Sequence, residues 1–144
     1  MNIKPIVENF IAPEYKKDLS GGLDIYFQKD TELVIGADNV VNLGFCAEVP
    51  EGHVALLIPR SSAGMRGLSL RNTVGVIDAD YRGEWIAHIV IDDVGNVWGK
   101  PIVYKRGDRA LQALIIPFNK VDINIVDDLS VTDRGDGGFG STGA

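Results

Sequence analysis

No stretch of this chain holds an apolar repeat of helical period across several turns. Its apolar residues come instead in short runs rich in Val, Ile, Leu and aromatics: "GLDIYFQ", "ELVI", "VVNLGFCAEV", "GHVALLIP", "LSLRNTVGVI", "EWIAHIVIDD", "PIVYKRGD" and "ALQALIIPFNKVDINIV". Gly, Pro, Asp or Asn breaks the chain between them at short intervals, which is the pattern of strands joined by turns. Only "RSSAGMRGLSL" leaves room for one short helix. The reading is an all-β antiparallel sandwich, barrel or jelly roll. Within "EWIAHIVID", alternation sets Trp85, Ala87, Ile89 and Ile91 on one face and Ile86, His88 and Val90 on the other. Both faces are largely apolar, so the strand is expected to be covered on both sides, most simply by oligomerisation.

At 144 residues the chain has the size of one domain, assigned to residues 1–133, with the glycine-rich tail 134–144 standing apart. An apolar share of 45% and a charged share of 24% are ordinary for a globular protein. No apolar run approaches the roughly 20 residues of a membrane helix, so no membrane partner is expected. The opening "MNIKPIVENF" has neither a continuous apolar segment nor a small-residue cleavage site. Cys46 is the only cysteine, which excludes an internal disulfide and multi-cysteine metal sites and points to a reducing cytoplasm. Its setting in "NLGFCAEVP" assigns it to core packing. His53 and His88 are too few for a zinc site without carboxylates. A net charge of −6 argues against nucleic acid as the main partner, because neutralising a phosphate backbone takes clustered Lys and Arg. A small phosphorylated ligand needs only a few local cations and amides.

Five stretches break the strand rules, and such breaks concentrate where function sits. "PRSSAGMRG" runs from a buried-looking strand into Arg60, Ser61 and Ser62, giving a guanidinium, hydroxyls and turn amides for a phosphate, or alternatively an N-cap serine opening a short helix. In "NTVGVIDADYRGEW", Val74, Val76 and Ile77 read as strand, Gly75 as a close backbone approach and "DADYRG" as a hairpin turn. Asp78 follows apolar Ile77, where burial is costly unless the acid is hydrogen-bonded or functional; a carboxylate there can take a proton from water. Asp24 lies inside the apolar strand of "SGGLDIYFQ", as a ligand or metal contact or as an edge-strand charge that deters aggregation. Gln112 interrupts the apolar "ALQALIIP", after an Arg-Gly-Asp turn. The tail "RGDGGFGSTGA" is either a frayed stub or a lid whose aromatic stacks on a ring while its Arg, Ser and Thr hold anions.

Taken in order, "GGLDI", "PRSSAG", "NTVGVIDADYRGE", "GDRALQALI" and "RGDGGFGSTG" resemble the five motifs of the trimeric deoxyuridine triphosphatases. The resemblance spans nearly the whole chain. It implies a distorted jelly-roll, or β-clip, subunit, a homotrimer with sites at subunit interfaces, and Mg²⁺ bound with dUTP. By motif position it makes Asp78 the general base and Tyr81 the ring against the deoxyribose. Asn72 and the backbone around Val76 become the uracil reader. Arg60, Ser61, Ser62 and Gln112 become phosphate contacts, and Asp24 an acid acting on the metal through water. Arg134, Phe139, Gly140, Ser141 and Thr142 become a mobile arm, Phe139 stacking on uracil while the others close on the phosphates. The implied reaction is dUTP plus water giving dUMP and pyrophosphate.

The segment around "DDVGNVWGKP" is longer than in compact members of that family. Trp98 there either packs over an edge or anchors a protein partner at the 92–101 hairpin. Two rivals remain. One is the related dCTP deaminase, which would need a Glu where this chain has His88; the other is a nucleotide-sensing regulatory or binding protein on the same scaffold.

Overall fold

The computed structural model describes residues 1–92 and 101–138. Trp98 with most of the 92–101 segment, and Phe139, Gly140, Ser141 and Thr142 of the tail, lie outside the described residues. Among those described, the elements run in the order β1 (Asn2–Pro5), β2 (Leu23–Tyr26), β3 (Thr31–Leu33), β4 (Asn39–Glu48), β5 (His53–Pro59), α1 (Ser61–Gly64), β6 (Leu68–Leu70), β7 (Gly75–Ile77), β8 (Glu84–Ile91), β9 (Ile102–Tyr104) and β10 (Arg109–Pro117). They form two four-stranded sheets, β1-β4-β8-β6 and β2-β10-β5-β7, and the small pair β3-β9. Every pairing is antiparallel. The all-β, jelly-roll reading stands.

Period-two patterning builds the core. Val41, Leu43, Phe45 and Ala47 of β4 and Trp85, Ala87, Ile89 and Ile91 of β8 turn inward. Leu57 and Ala55 of β5 and Leu111 and Ala113 of β10 meet them from the other sheet. Phe45 and Trp85 pack with centroids 5.1 Å apart, and Phe10 lies on Phe45 at 5.8 Å. A second aromatic pair, Phe27 on Tyr104, stacks at 4.7 Å, with Arg66 over the Tyr104 ring. Burial pushes the Tyr104 phenol above its ordinary value, so Arg66 meets a neutral ring.

One irregularity sets where β8 begins. The β4–β8 register slips between Asn42 and Cys46, and Gly44 takes φ 79° in that bulge. A side chain there would also strike Val7 and Gln28 at 2.9 Å, so only glycine fits. The Glu84 carboxylate closes the bulge, accepting from the Gly44 N–H at 3.0 Å and the Asn42 amide at 2.6 Å.

Several expectations need correction. Cys46 is half-buried and outside the core, because the alternation that turns Phe45 and Ala47 inward turns Cys46 outward, beside Lys4 of β1. "DADYRG" is not a hairpin turn between paired strands: β7 pairs with β5 while β8 pairs with β4 and β6, so this loop crosses from one sheet to the other. "LSLRNTVGVI" is two strands in different sheets. "ALQALIIPFNKVDINIV" stops as a strand at Pro117; beyond it Val121, Ile123 and Ile125 are exposed and no strand of the described residues pairs with them. Residues 2–5, not read as a strand, add β1 to the edge of β4. Among the described residues one face of β8 is covered and the other open, since Ile86 is 43% exposed and His88 lies exposed beside Asp38.

Phe45→Ala removes a fully buried ring between two other aromatics and should cost about 3–5 kcal/mol. Urea unfolding measures it; a loss below about 1 kcal/mol would mean the aromatic cluster is not the core's anchor.

Candidate active site

The predicted residues gather into two groups. The first surrounds the sheet-to-sheet loop. β7 ends at Ile77, so Asp78 is the first residue off the strand, and the Tyr81 N–H donates to its carbonyl at 3.2 Å to close a turn. Asp78 is exposed, not buried as its apolar neighbour suggested, because the chain leaves the sheet at that residue. Tyr81 is held across the turn: its hydroxyl donates to the Glu84 carbonyl at 3.0 Å, and its ring lies so close over Gly83 that a Cβ there would sit 2.3 Å from the hydroxyl oxygen. Arg82 braces the same turn by donating to the Ala79 carbonyl at 2.7 Å and the Tyr81 carbonyl at 3.1 Å. Its Nε lies 3.7 Å from Glu48 at the end of β4.

This loop borders a cavity of about 300 Å³ shared by Asn72, Val76, Asp78 and Tyr81, with Leu57 and Trp85 at its apolar wall. Gly75 makes the expected close approach, since a Cβ would stand 3.0 Å from that of Leu57 on β5. Thr73, at the tip beside Asn72, has φ 64°. A β-branched residue in that region is strained by about 1–3 kcal/mol, and such strain clusters where backbone groups must be aimed.

The second group centres on Asp24. It is the one charged residue buried among the described positions, at 5% exposure. Each carboxylate oxygen takes a guanidinium: Arg60 Nε at 2.9 Å and Arg109 Nη1 at 2.8 Å. The reading of Asp24 as an edge charge that deters aggregation is thereby overturned. Gln112 stands directly across from Asp24 in the β2–β10 register. Its amide donates to the Pro59 carbonyl at 3.3 Å and fills the space over Gly22, where a Cβ would fall 2.2 Å from its oxygen. Ser61 and Ser62 open α1, exposed and without a side-chain cap, so the N-cap role is not the one they play. Asp24, Arg60, Arg109 and Gln112 line a cleft of about 460 Å³.

Within one chain these groups do not meet. Strand order β2-β10-β5-β7 puts Asp24 and Val76 at opposite edges of one sheet, three strand spacings or roughly 14 Å apart. Arg134 lines neither cavity and donates to the Gly137 carbonyl at 3.0 Å in an exposed turn. No three His, Cys, Asp or Glu side chains come together as a metal-ligand set among the described residues. Sequence reasoning missed Arg82 and Arg109. Arg109 directly follows the Arg-Gly-Asp turn, and strict alternation would set it on the face opposite Gln112; a register shift between Arg109 and Leu111 brings both beside Asp24.

The family model described as dUTPase matches residues 8–143. The chain belongs to the dUTPase family. A deoxyuridine 5'-triphosphate nucleotidohydrolase of Dictyoglomus turgidum is 38% identical over 98% of this chain and 96% of its own length. One of Anaplasma marginale is 39% identical over 91% of this chain and 88% of its own. Among solved structures, the Staphylococcus bacteriophage 80alpha dUTPase with dUpNHpp superimposes with a TM-score of 0.83 at 26% identity, covering 99% of this chain and 98% of that one. A G164S mutant of the phage enzyme with the same compound gives 0.84 at 25%, again over 99% and 98%. The dUTPase fold, jelly-roll-like and nearly all strand, therefore carries both the Asp78 loop and the Asp24 cleft.

Asp24→Asn keeps the shape of the buried side chain while removing the charge that two arginines share. It should lower stability by about 2–3 kcal/mol in urea unfolding. An unchanged midpoint would mean the ion pairs contribute nothing net.

Proposed function

We propose that the protein hydrolyses dUTP to dUMP and pyrophosphate, with Asp78 as general base for the water that attacks the α-phosphorus. The observation that carries this reading is the turn after β7, where an exposed carboxylate and a pinned aromatic ring open on a cavity bordered by Asn72 and Val76. Backbone amide and carbonyl groups near Asn72 and Val76 can pair with the uracil edge, and close packing of that backbone against the base would reject a thymine methyl. The Tyr81 ring, fixed over Gly83, supports selection of deoxyribose, because a 2′-hydroxyl would need space the ring takes. Arg60, Ser61, Ser62 and Gln112 bind the phosphates, and the α-phosphorus is attacked in line.

Mg²⁺ fits this site as a companion of the nucleotide. The cleft supplies one carboxylate, Asp24, and both its oxygens already take guanidiniums, which suits action on a hydrated ion through water. Bound with the triphosphate, the ion neutralises charge that develops on the phosphate oxygens. The chain's part is to hold the phosphates with Arg60 and Gln112 and to accept the water's proton at Asp78 Oδ.

The working form we propose is a homotrimer acting in the cytoplasm, each site uniting the Asp78 loop of one subunit with the Asp24 cleft of another. The separation of the two groups across one sheet supports this, as do the open face of β8 and the exposed apolar run Val121, Ile123 and Ile125. The tail 134–144 then acts as the arm, Arg134, Gly140, Ser141 and Thr142 closing on the phosphates and Phe139 on the base, so that bulk water is excluded.

Pyrophosphate release from dUTP, dCTP, dTTP and UTP, with Mg²⁺ and with a chelator, tests the assignment. Turnover confined to dUTP and abolished by the chelator is expected; ammonia released from dCTP, followed in a parallel assay because deamination frees no pyrophosphate, would select the dCTP deaminase reading instead. Asp78→Asn should lower kcat by about 10²–10⁴-fold while dUTP still binds in calorimetry. Wild-type turnover would remove Asp78 as the base. Removing residues 134–144 should slow hydrolysis by about tenfold or more, a rise in barrier of about 1.4 kcal/mol. Light scattering should still give three times the mass of the shortened chain.

A further inference from the structure

The Asp24 cleft is lined by four cationic side chains, Lys16, Lys17, Arg60 and Arg109, against the single carboxylate of Asp24. This in a chain of net charge −6 marks a locally built anion site. Three of the four cations already have partners. Arg60 and Arg109 share Asp24, and Lys16 pairs with Glu14, whose carboxylate also accepts from the Tyr26 hydroxyl. Those contacts hold Glu14 below the usual carboxylate range and Lys16 above its own, the Lys16–Glu14 hydrogen bond being the largest cause for both. Lys17 enters no ion pair among the described residues.

Its position is not left to chance. Residues 15–22 form a loop closed at its base by a reciprocal backbone bridge between Glu14 and Asp24, at 3.2 and 2.9 Å. The Ser20 N–H donates to the Lys17 carbonyl at 2.9 Å, tightening the turn that presents Lys17. The loop is thus anchored on the backbone of Asp24, the residue whose carboxylate orients Arg60, and Lys17 faces the same cleft as Gln112.

We infer that Lys17 is a further substrate-binding residue, holding the outer phosphates of the triphosphate and the pyrophosphate that leaves. This rests on the reading of the cleft as the phosphate half of the site. Lys17 supplies charge that neither arginine can give fully while bound to Asp24. It therefore favours the triphosphate over nucleotides lacking the outer phosphates, acting in binding and not in the chemical step.

The test measures binding of inorganic pyrophosphate and of dUMP by calorimetry, and KM and kcat for dUTP, in the wild type, Lys17→Gln and Lys17→Arg. Lys17→Gln should weaken pyrophosphate and raise KM roughly fivefold, the size of one partly exposed charge pair. Its kcat and dUMP affinity should stay within twofold, the pyrophosphate effect should shrink as salt rises, and Lys17→Arg should restore it. Unchanged pyrophosphate affinity in Lys17→Gln would overturn the proposal, and so would an equal loss of dUMP affinity, which would mark a structural role. A wild type that does not turn over dUTP would defeat the functional reading alone, since the pyrophosphate titration still decides for or against the anion site.

Discussion

The charge cluster at Asp24 is the interaction on which the site half of the molecule depends. One buried carboxylate ties β2, which carries it, to Arg60 at the mouth of α1 and Arg109 at the start of β10, both distant in sequence, while the backbone of the same residue bridges to Glu14. A buried acid is costly unless both oxygens are satisfied, and here each takes a guanidinium at under 3 Å. The arginines are in turn pre-aimed. A guanidinium held by a fixed carboxylate has lost its rotamer freedom before any phosphate arrives, so binding need not supply that ordering.

The other half rests on backbone shape. The β4 bulge at Gly44 lets Glu84 turn its carboxylate back onto β4, which fixes where β8 begins. Because Glu84 is fixed, its carbonyl can anchor the Tyr81 hydroxyl, and Arg82 can span from the turn to Glu48. Asp78 thus hangs on a short loop braced by the hydrogen bonds of Tyr81 and Arg82. The order of causes runs from a glycine in β4 to the placement of an acid just beyond β7.

Much of this was legible in the sequence because it obeys period two. The inward face of β8 was readable from alternation, and the motifs drew attention to Asn72, Val76, Asp78 and Tyr81, which border one cavity, and to Asp24, Arg60 and Gln112, which line another. What escaped reading depends on breaks in that period or on distant partners. Arg109 reaches Asp24 only through a bulge; Cys46 looked like core because its neighbours are apolar, although its parity turns it outward; Asp78 is exposed because β7 ends one residue earlier. The strand pattern beyond Pro117 was real in composition, yet a strand needs a partner, and Val121, Ile123 and Ile125 have none among the described residues of their own chain.

That last mismatch bears on assembly. Apolar side chains at alternate positions lose nothing by exposure in an unfolded tail, but in an extended segment they leave a stripe of surface that water solvates poorly. The same chain leaves Ile86 open on β8 and splits its candidate site between opposite edges of a sheet. A closed ring of copies answers all three conditions with one kind of contact, since a heterologous interface sets one edge of a subunit against the other edge of its neighbour. In the proposed trimer, the covering of the apolar stripe and the joining of Asp78 to the Asp24 cleft are then one event, so assembly and activity rise and fall together.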